Sequence, residues 1–295
     1  MPDERTRLFE QHRKVIEGLA YRMLGSLAEA RDAVQETYLK WHDVEVSALE
    51  NPRAWLITVC SRISLNQLKS ARRQRETYIG EWLPEPLPDE TDYEGGDPAV
   101  QAELNDTVSF ALLLALEKLS PLERAAFLLH DIFELGFDEI AGILGKSAAH
   151  CRQCATRARK RIREDRPRFD TTPEMHRSLL DGFLSAARQR DVGKLITLLA
   201  SEVELYSDGG GRVQALPEVM RGANAVAEFF AGIFAHFQRD GIEVRIQPQR
   251  FNGSLGVLIF ENQRLATAMT IETHAGRIRH IYAVRNPHKL GALLP

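Results

Sequence analysis

The chain has 295 residues, of which 44% are hydrophobic and 27% are charged, and this composition excludes a wholly disordered or fibrous protein. Its length predicts two or three domains. The net charge of −3, taken as a total, argues against a nucleic-acid-binding protein, because such proteins are usually basic.

Further classes of protein are excluded by local features of the sequence. No apolar run approaches the ~20 residues of a membrane span, and the charged N-terminus lacks the apolar core of a signal peptide. Three cysteines do not make a disulfide framework in a chain of this size. We therefore expect a cytoplasmic protein without membrane contact.

The charge is distributed unevenly along the chain. Residues 81–98 contain seven acidic side chains, four prolines and no Lys or Arg, which is typical of an extended linker. The remaining segments, 1–80, 99–168 and 169–295, carry net charges of +2, +1 and +1. We predict that these three slightly basic segments are domains, and that the acidic linker supplies the negative total.

The first segment is predicted to be helical and to contain a polar helix face. Ser26 followed by Glu29 is a capping pattern, and on the helix that follows, Asp32, Gln35 and Glu36 share one face. Another face is apolar and is expected to be buried; it consists of Ala30, Val34, Tyr38 and Trp41. The polar face is either a solvated surface or a binding surface.

The next helix, predicted from Pro52 towards Arg75, is apolar in its body and basic at its end. The basic side chains are Arg62, Lys69, Arg72, Arg73 and Arg75. A basic helix end suits phosphates, and the amide of Asn66 on the same helix can read a base edge. The alternative is a basic surface without a partner.

Residues 137–163 have the pattern of a helix-turn-helix, with a turn at 145–147 and Ser147 as the predicted cap of the second helix. The second helix has a predicted buried stripe of Cys151, Ala155, Ala158 and Ile162. The side chains off this stripe are Arg152, Gln153, Thr156, Arg157, Arg159 and Lys160. Arg and Gln suit base edges in the major groove, and the alternative is a basic packing helix.

Cys151 and Cys154 form a Cys-x-x-Cys motif beside His150. A zinc site requires further ligands at matching spacing, and the sequence has no second pair of cysteines. The two interpretations are a thiol or metal role and a pair of buried small residues.

The last segment is predicted to be an α+β domain. Helices over 174–190 and 223–237 precede four strands over 242–250, 255–261, 265–273 and 278–284, with turn residues at 252–253 and 275–276. The stretches 206–212 and 285–290 are predicted loops. The titratable side chains of this segment show no catalytic spacing.

In this order, the motifs resemble the extracytoplasmic-function (ECF) sigma factors of the SigJ-like group, which carry a SnoaL/NTF2-like C-terminal domain. The stretch Asp32-x-x-Gln35-Glu36-x-x-Leu39-x-Trp41 resembles sigma region 2.2. Arg62-Ile63-x-x-Asn66 with the basic end resembles regions 2.3 to 2.4. Residues 119–124 and the helix-turn-helix resemble region 4.

Three short motifs are similar to the marks of this particular group. They are Trp82-Leu83-Pro84-Glu85-Pro86, Asp208-Gly209-Gly210-Gly211, and Asn286-Pro287-His288-Lys289. In the last motif His288 stands where an acidic residue is usual. The resemblance implies that these residues, apart from His288, form a regulatory contact between the linker and the C-terminal domain.

The resemblance implies a multi-domain fold and a role for each segment. Two all-α domains, sigma region 2 (1–80) and region 4 (99–168), would precede the cone-shaped α+β domain (169–295), which would regulate the chain in cis. Core RNA polymerase would be bound through the beta-prime clamp and the beta flap. The polymerase-binding residues would be Asp32, Gln35, Glu36 and Leu39.

Promoter DNA is the second partner that the resemblance implies. The −10 contacts would come from Arg62, Asn66, Lys69, Arg72 and Arg73. The −35 contacts would come from Arg152, Gln153, Thr156, Arg157 and Lys160.

We expect no catalytic residue, no metal and no cofactor, and a chain that is monomeric when free. Two alternatives stay open. One is a fusion whose C-terminal domain is an enzyme or a small-ligand sensor, because this fold hosts both. The other is a helix-turn-helix repressor, which leaves the first segment without a purpose.

Overall fold

The computed structural model of the chain describes residues 4–75, 78–89, 109–165 and 172–294, with side chains for all of these except 71–75 and 164–165. The chain divides into two compact units. The first, here called the helical unit, comprises Met1–Thr77 and Leu112–Arg166, and the second, the α+β unit, comprises Tyr78–Ala111 and Pro167–Pro295. In the described part of the chain, no helix is both long enough and apolar enough to cross a membrane.

The helical unit begins with three long helices. They are α1 (Glu4–Leu24), α2 (Leu27–His42) and α3 (Pro52–Arg75), with a 3₁₀ turn at Val46–Ala48 before α3. Ser26 caps α2, because its Oγ accepts the Glu29 N–H at 3.4 Å and satisfies an amide without a helical partner. Trp41 is fully buried, with its ring centroid 5.5 Å from that of Trp55. The helices predicted for this segment are confirmed.

A second group of helices belongs to the helical unit, except that Phe110 and Ala111, at the start of the first of them, fall in the α+β unit. They are α4 (Phe110–Glu117), α5 (Pro121–Phe127), α6 (Phe137–Leu144) and α7 (Ala148–Asp165), with a π-helical turn at Leu128–Ile132 after α5. Gly145 ends α6 in the left-handed region with φ 63°, which favours glycine. Ser147 caps α7 by accepting the His150 N–H at 3.2 Å. The predicted helix-turn-helix and the buried stripe of its second helix are confirmed.

The α+β unit contains one mixed sheet and the helices that cover it. The helices are α8 (Pro173–Gln189), α9 (Val192–Leu198) and α10 (Ala223–Arg239). The strands are β1 (Leu199–Asp208), β2 (Met220–Arg221), β3 (Val244–Phe251), β4 (Ser254–Glu261), β5 (Arg264–His274) and β6 (Arg277–Val284). Within residues 172–294 the strand order is β2-β1-β6-β5-β4-β3, in which only the β1–β6 pair is parallel.

The two faces of this sheet have different roles. Val203 and Leu205 of β1 belong to the core that the sheet forms with α8, α9 and α10, together with Ile281 of β6. Because side chains alternate along a strand, Glu204, Tyr206 and Asp208 lie on the opposite face, where the residues that hold the linker are found. The four predicted strands and two predicted helices are confirmed within two residues at each end.

One local prediction for this domain is wrong. Tyr206, Ser207 and Asp208 were expected in a loop, but they are the last residues of β1. The three glycines that follow obscured the alternation of buried and exposed residues along β1. The predicted extended linker contains no helix or regular strand within its described residues, 81–89, and residues 90–98 lie outside the described part of the chain. The domain boundaries at 80, 98 and 168 stay predictions.

Candidate polymerase, DNA and linker-binding surfaces

The predicted polymerase-binding residues lie together on α2. Asp32, Gln35, Glu36 and Leu39 are all exposed, and Leu39 is 62% exposed despite being apolar. The other face of α2 is buried in the core and includes Ala30, Val34 and Trp41. All four predicted side chains are therefore accessible to a partner.

The predicted −10 residues lie on one exposed face of α3. Arg62, Asn66 and Lys69 follow one another at helical spacing, and all three are exposed. Ile63, Leu65 and Leu68 are buried on the other side of the helix; this face anchors α3. Arg72 and Arg73 lie outside the residues whose side chains are described.

Arg62 contacts the helix-turn-helix directly. Its Nε donates a hydrogen bond to the Ile143 carbonyl at 3.1 Å, and its Nη2 donates one to the Gly142 carbonyl at 2.8 Å. These carbonyls belong to the last turn of α6, where carbonyls lack helical partners and a cation is favourable. A side chain predicted to contact DNA at α3 is therefore hydrogen-bonded to the predicted helix-turn-helix of the same chain.

Arg124 makes a second contact between the two groups of helices. Its side chain is 1% exposed, and its Nε donates to the Arg22 carbonyl in α1 at 3.0 Å. The Arg124 guanidinium also forms an ion pair with Glu117 of α4. Burial lowers the pKa of the neighbouring Arg22 to about 10. The resemblance to region 4 included Arg124 but gave no indication of this contact.

The predicted −35 residues lie on the exposed side of α7. Arg152, Gln153, Thr156, Arg157 and Lys160 are exposed, whereas Cys151, Cys154, Ala155 and Ala158 are buried. The Arg152 guanidinium lies 5.1 Å from the centroid of the Phe137 ring, which orients it at the start of the helix.

The Arg157 side chain forms an ion pair within the protein. Its Nε donates to Glu123 Oε1 at 2.8 Å, while Arg161 Nη1 donates to Oε2 of the same carboxylate at 2.9 Å. Glu123 also accepts the N–H and the hydroxyl of Ser120. Burial raises the pKa of Glu123, but the hydrogen bonds from Arg157 and Ser120 outweigh burial, and the pKa lies at about 2.

This low pKa predicts an acid-sensitive contribution of Glu123 to stability. Because its pKa is lower in the folded than in the unfolded chain, the contribution is complete above pH 4.5 and is lost as the pH falls towards 2. Both arginines are half exposed, so we expect about 1–2 kcal/mol after solvent screening. Urea unfolding from pH 6 to 2.5 should show a shallower loss of stability in Glu123→Gln than in wild type. Glu139→Gln, at an exposed acid of α6, should retain the wild-type slope.

Cys151 and Cys154 are both buried and unpaired with each other as a disulfide. Burial raises the pKa of both thiols, which disfavours the reactive thiolate. Among the described residues, no group of three or more His, Cys, Asp or Glu side chains is placed to hold a metal ion. These observations favour the interpretation as buried small residues.

The three motifs predicted to regulate the chain converge at Asp208. This carboxylate is fully buried. Its Oδ1 accepts the Tyr78 hydroxyl at 2.6 Å and the Gly210 N–H at 3.0 Å. Its Oδ2 accepts the Leu83 N–H at 2.9 Å and a hydrogen bond from Lys289 Nζ at 2.7 Å. One side chain therefore joins the linker, the glycine turn and the C-terminal motif.

Lys289 binds the linker from the other side. Its ammonium donates to the Leu83 carbonyl at 2.5 Å and lies 4.2 Å from the centroid of the Trp82 ring. The Lys289 side chain is 10% exposed, so this cation is paired in a largely dry environment. Pro84, Glu85 and Pro86 are also buried.

The glycine turn allows close approach to this site. Gly210 has a φ of 61°, and a Cβ at this position would overlap the amide of Asn286. Gly211 has a φ of 66°, and its Cβ would lie 2.9 Å from Ile79 Cδ1. Asn286 caps the turn at Pro287–Lys289 and donates from Nδ2 to the Tyr78 hydroxyl at 3.0 Å. The turn residues 285–290, predicted as a loop, thus end in a short 3₁₀ helix.

His288, which stands in place of the usual acid, is exposed. Its backbone N–H donates to Asn286 Oδ1 at 3.1 Å, a bond that any residue at this position could make. The interactions of Asp208 and Lys289 do not include the His288 side chain.

The linker is held again beyond the Trp82 motif, by residues that sequence reasoning missed. The Leu87 N–H donates to Asn252 Oδ1 at 2.9 Å, and the Asn252 N–H donates to the Leu87 carbonyl at 2.8 Å. Asp89 accepts the Gly253 N–H at 2.9 Å and pairs with Arg250 at 3.2 Å. Asn252-Gly253 was recognised only as a hairpin turn, and Tyr78 carried no motif signal.

Comparisons with known proteins identify the family of the chain. Two family models match the chain: Sigma-70 region 2 over residues 8–74, and Sigma-70, region 4 over residues 109–162. The chain is 33% identical over 289 residues to the ECF RNA polymerase sigma factor SigJ of Mycobacterium tuberculosis, covering 95% of this chain and 91% of the relative. It is 34% identical over 284 residues to the probable ECF RNA polymerase sigma factor SigI of the same species, covering 96% and 93%.

A solved structure extends the similarity to the whole fold. The crystal structure of Mycobacterium tuberculosis SigJ matches with a TM-score of 0.76 and 31% identity, covering 96% of this chain and 97% of that one. Two sigma regions followed by an α+β domain define a DNA-binding protein of transcription initiation. The chain belongs to the ECF sigma factor family. Its relatives are sigma factors, a class that binds core RNA polymerase and promoter DNA and is not enzymatic.

Proposed function

We propose that the exposed face of α2 binds the beta-prime clamp of core RNA polymerase, that region 4 also contacts the beta flap, and that α3 and α7 read the −10 and −35 elements. The observation that supports this assignment is the exposure of the described members of each predicted set on one helix face. Asn66 would read a base of the melted −10 strand, with Arg62 and Lys69 on its backbone. Arg152 and Gln153 would read the −35 element in the major groove.

The α+β unit would regulate this activity in cis by holding the linker. The observation that carries this part is the buried site of Asp208, which joins Tyr78, Leu83 and Lys289. A tethered domain meets its target at high effective concentration and needs no separate inhibitor. We propose that this regulation is a restraint. Within the helical unit, the contacts of Arg62 with α6 already engage one predicted DNA-binding side chain.

Separation of the two DNA-binding regions is the step that this restraint would oppose. Elements near −10 and −35 are about 25 base pairs apart, which corresponds to about 85 Å at ~3.4 Å per base pair. Helices joined through Arg62 cannot reach both elements of one promoter. Promoter binding would therefore require these contacts to break and the linker to be released or repositioned.

Polymerase binding can be tested on α2. The double variant Asp32→Ala/Gln35→Ala should bind core RNA polymerase at least tenfold more weakly, because it removes a charged and an amide contact from one interface. Affinity for fluorescently labelled core enzyme is the measurement. Glu10→Ala/Gln11→Ala, which removes an exposed acid and amide from α1, should bind as wild type. Equal affinity of both double variants would contradict the assignment of α2.

A small-ligand sensor in the α+β unit is the second candidate function. A pocket of about 510 Å³ in this unit favours it; the pocket is lined by residues that include Ile196, Leu199, Arg221, Asn224 and Arg277. Native mass spectrometry of the full chain, purified without denaturation, tests this function. A bound species whose mass is lost on Asn224→Trp, at an exposed residue of the pocket, would support it, and a bare chain in every preparation would count against it.

A further inference from the structure

Phe110, the first residue of α4, is seated in an aromatic site on the α+β unit. Its ring stacks on Tyr282 of β6, with centroids 5.7 Å apart and planes 15° apart. It meets the ring of Phe251 of β3 edge to face, with centroids 6.0 Å apart and planes 78° apart. All three residues are buried, with exposures of 4%, 4% and 0%. These are the favourable geometries of aromatic pairs.

Phe251 also contacts the linker, at Pro88. Pro88 forms an isolated antiparallel β-bridge with Phe251, and the flanking Asp89 N–H donates to the Arg250 carbonyl at 3.3 Å. Pro88 of the linker and Phe110 of α4 therefore both contact Phe251.

The orientation of Tyr282 is fixed by polar neighbours on the same sheet face. Its hydroxyl donates to Glu272 Oε2 at 2.8 Å, and His280 Nδ1 lies 2.8 Å from the same oxygen. Glu272 and His280 are directly paired across β5 and β6. Burial beside Glu272 raises the pKa of Tyr282. The Tyr282 ring that stacks on Phe110 is therefore held in place by hydrogen bonding as well as by apolar packing.

We propose that Phe110 is a second anchor by which the α+β unit restrains region 4, in addition to the Asp208 site that holds the linker. Phe110 is a positioning residue: it fixes where the chain enters α4, and α4 leads directly to the helix-turn-helix. This inference rests on the proposed restraint by the α+β unit. It adds that the restraint acts at Phe110 as well as at the linker residues 78–89, and that Phe251 and Tyr282 form the binding site for the Phe110 ring.

The test is a double-mutant cycle in the full chain between Phe110→Leu and Tyr282→Leu. Run-off transcription is measured with core RNA polymerase on a promoter selected by binding to the wild-type holoenzyme. Each single variant should raise transcription at least threefold, and the double variant should rise no further than the singles, because both changes break one contact. Tyr282→Phe, which keeps the stacked ring but loses the hydrogen bond to Glu272, should raise transcription less than Tyr282→Leu does.

A control separates anchoring from general destabilisation of the domain. Phe230→Leu removes an aromatic ring from the core on the opposite sheet face and should leave transcription unchanged. Hydrogen exchange supplies a second readout: Tyr282→Leu should speed exchange of the α4 amides, 172 residues away in sequence. Additive effects of the two Leu variants, or the same transcription change in Phe230→Leu, would overturn the proposal. If Asp208→Asn changes transcription while Phe110→Leu does not, the restraint stands and the second anchor fails.

Discussion

Replacement of Asp208 by asparagine is expected to weaken the linker-binding site by about 3–5 kcal/mol, which is the usual cost of removing one partner from a buried ion pair. The substitution keeps the shape of the side chain but leaves the ammonium of Lys289 largely buried without its carboxylate. It also weakens the acceptor for Tyr78 and Leu83. We therefore expect release of residues 78–89 from the α+β unit and increased transcription.

Hydrogen exchange of the Leu83 amide measures this effect directly, because its N–H is bonded to Asp208. Exchange should become at least a hundredfold faster in Asp208→Asn. The double variant Asp208→Asn/Lys289→Met should recover part of the loss, since the buried charge of Lys289 is removed together with that of Asp208. Asp181→Asn, at an exposed acid of α8, should exchange as wild type. Unchanged protection of Leu83 in Asp208→Asn would contradict the role of this site.

Replacement of Arg124 by methionine is expected to destabilise the helical unit by about 2–4 kcal/mol. Methionine fills a similar volume, so the loss comes from hydrogen bonds and charge rather than from a cavity. The Arg22 carbonyl loses the hydrogen bond from the Arg124 guanidinium, and Glu117 loses its ion-pair partner. Because the bond to Arg22 joins the two groups of helices, their packing should loosen.

Urea unfolding followed by the fluorescence of Trp41 and Trp55, which lie in the first group of helices, measures this loss. Arg53→Met, at an exposed arginine of α3, is the matched control and should stay within about 0.5 kcal/mol of wild type. A midpoint for Arg124→Met equal to that of the control would show that the buried guanidinium does not hold the groups together.

Local chemistry made much of this fold predictable from the sequence. Ser26 and Ser147 cap helices because their hydroxyls accept amides within the next turn, and Gly145 ends α6 because it adopts a positive φ. The alternation of the last four strands and their glycine turns set the meander. These signals act over a few residues and can be read without knowledge of the tertiary structure.

The long-range contacts that assemble the sites could not be predicted from local sequence signals. Arg62 bonds to carbonyls 80 and 81 residues away, and Tyr78 to a carboxylate 130 residues away. Backbone carbonyls carry no sequence signal, and a lone tyrosine belongs to no motif. The resemblance grouped Trp82, Asp208 and Lys289 as one set but gave no chemistry, which comes from the buried ion pair.

Arg157 is a second example of a contact that the sequence does not predict. Its position off the buried stripe predicts exposure correctly, because helical spacing determines which side chains face solvent. Its ion pair with Glu123 depends on the packing of α7 against α5, which spacing does not reveal. A basic residue on an exposed helix face can therefore be engaged by its own protein before any DNA is present.

We propose that regions 2 and 4 are held together in the free chain and separate on the promoter. Because Cys60, Cys151 and Cys154 are buried, spin labels can be placed selectively at Ser70→Cys on α3 and Glu139→Cys on α6, both exposed. Double electron–electron resonance should give one short distance between the two spin labels in the free full-length chain. We predict that this distance lengthens by tens of ångströms in the complex with core polymerase and promoter DNA, as a separation of about 85 Å between the elements requires. A free chain that already shows the long distance, or a complex that keeps the short one, would contradict the account.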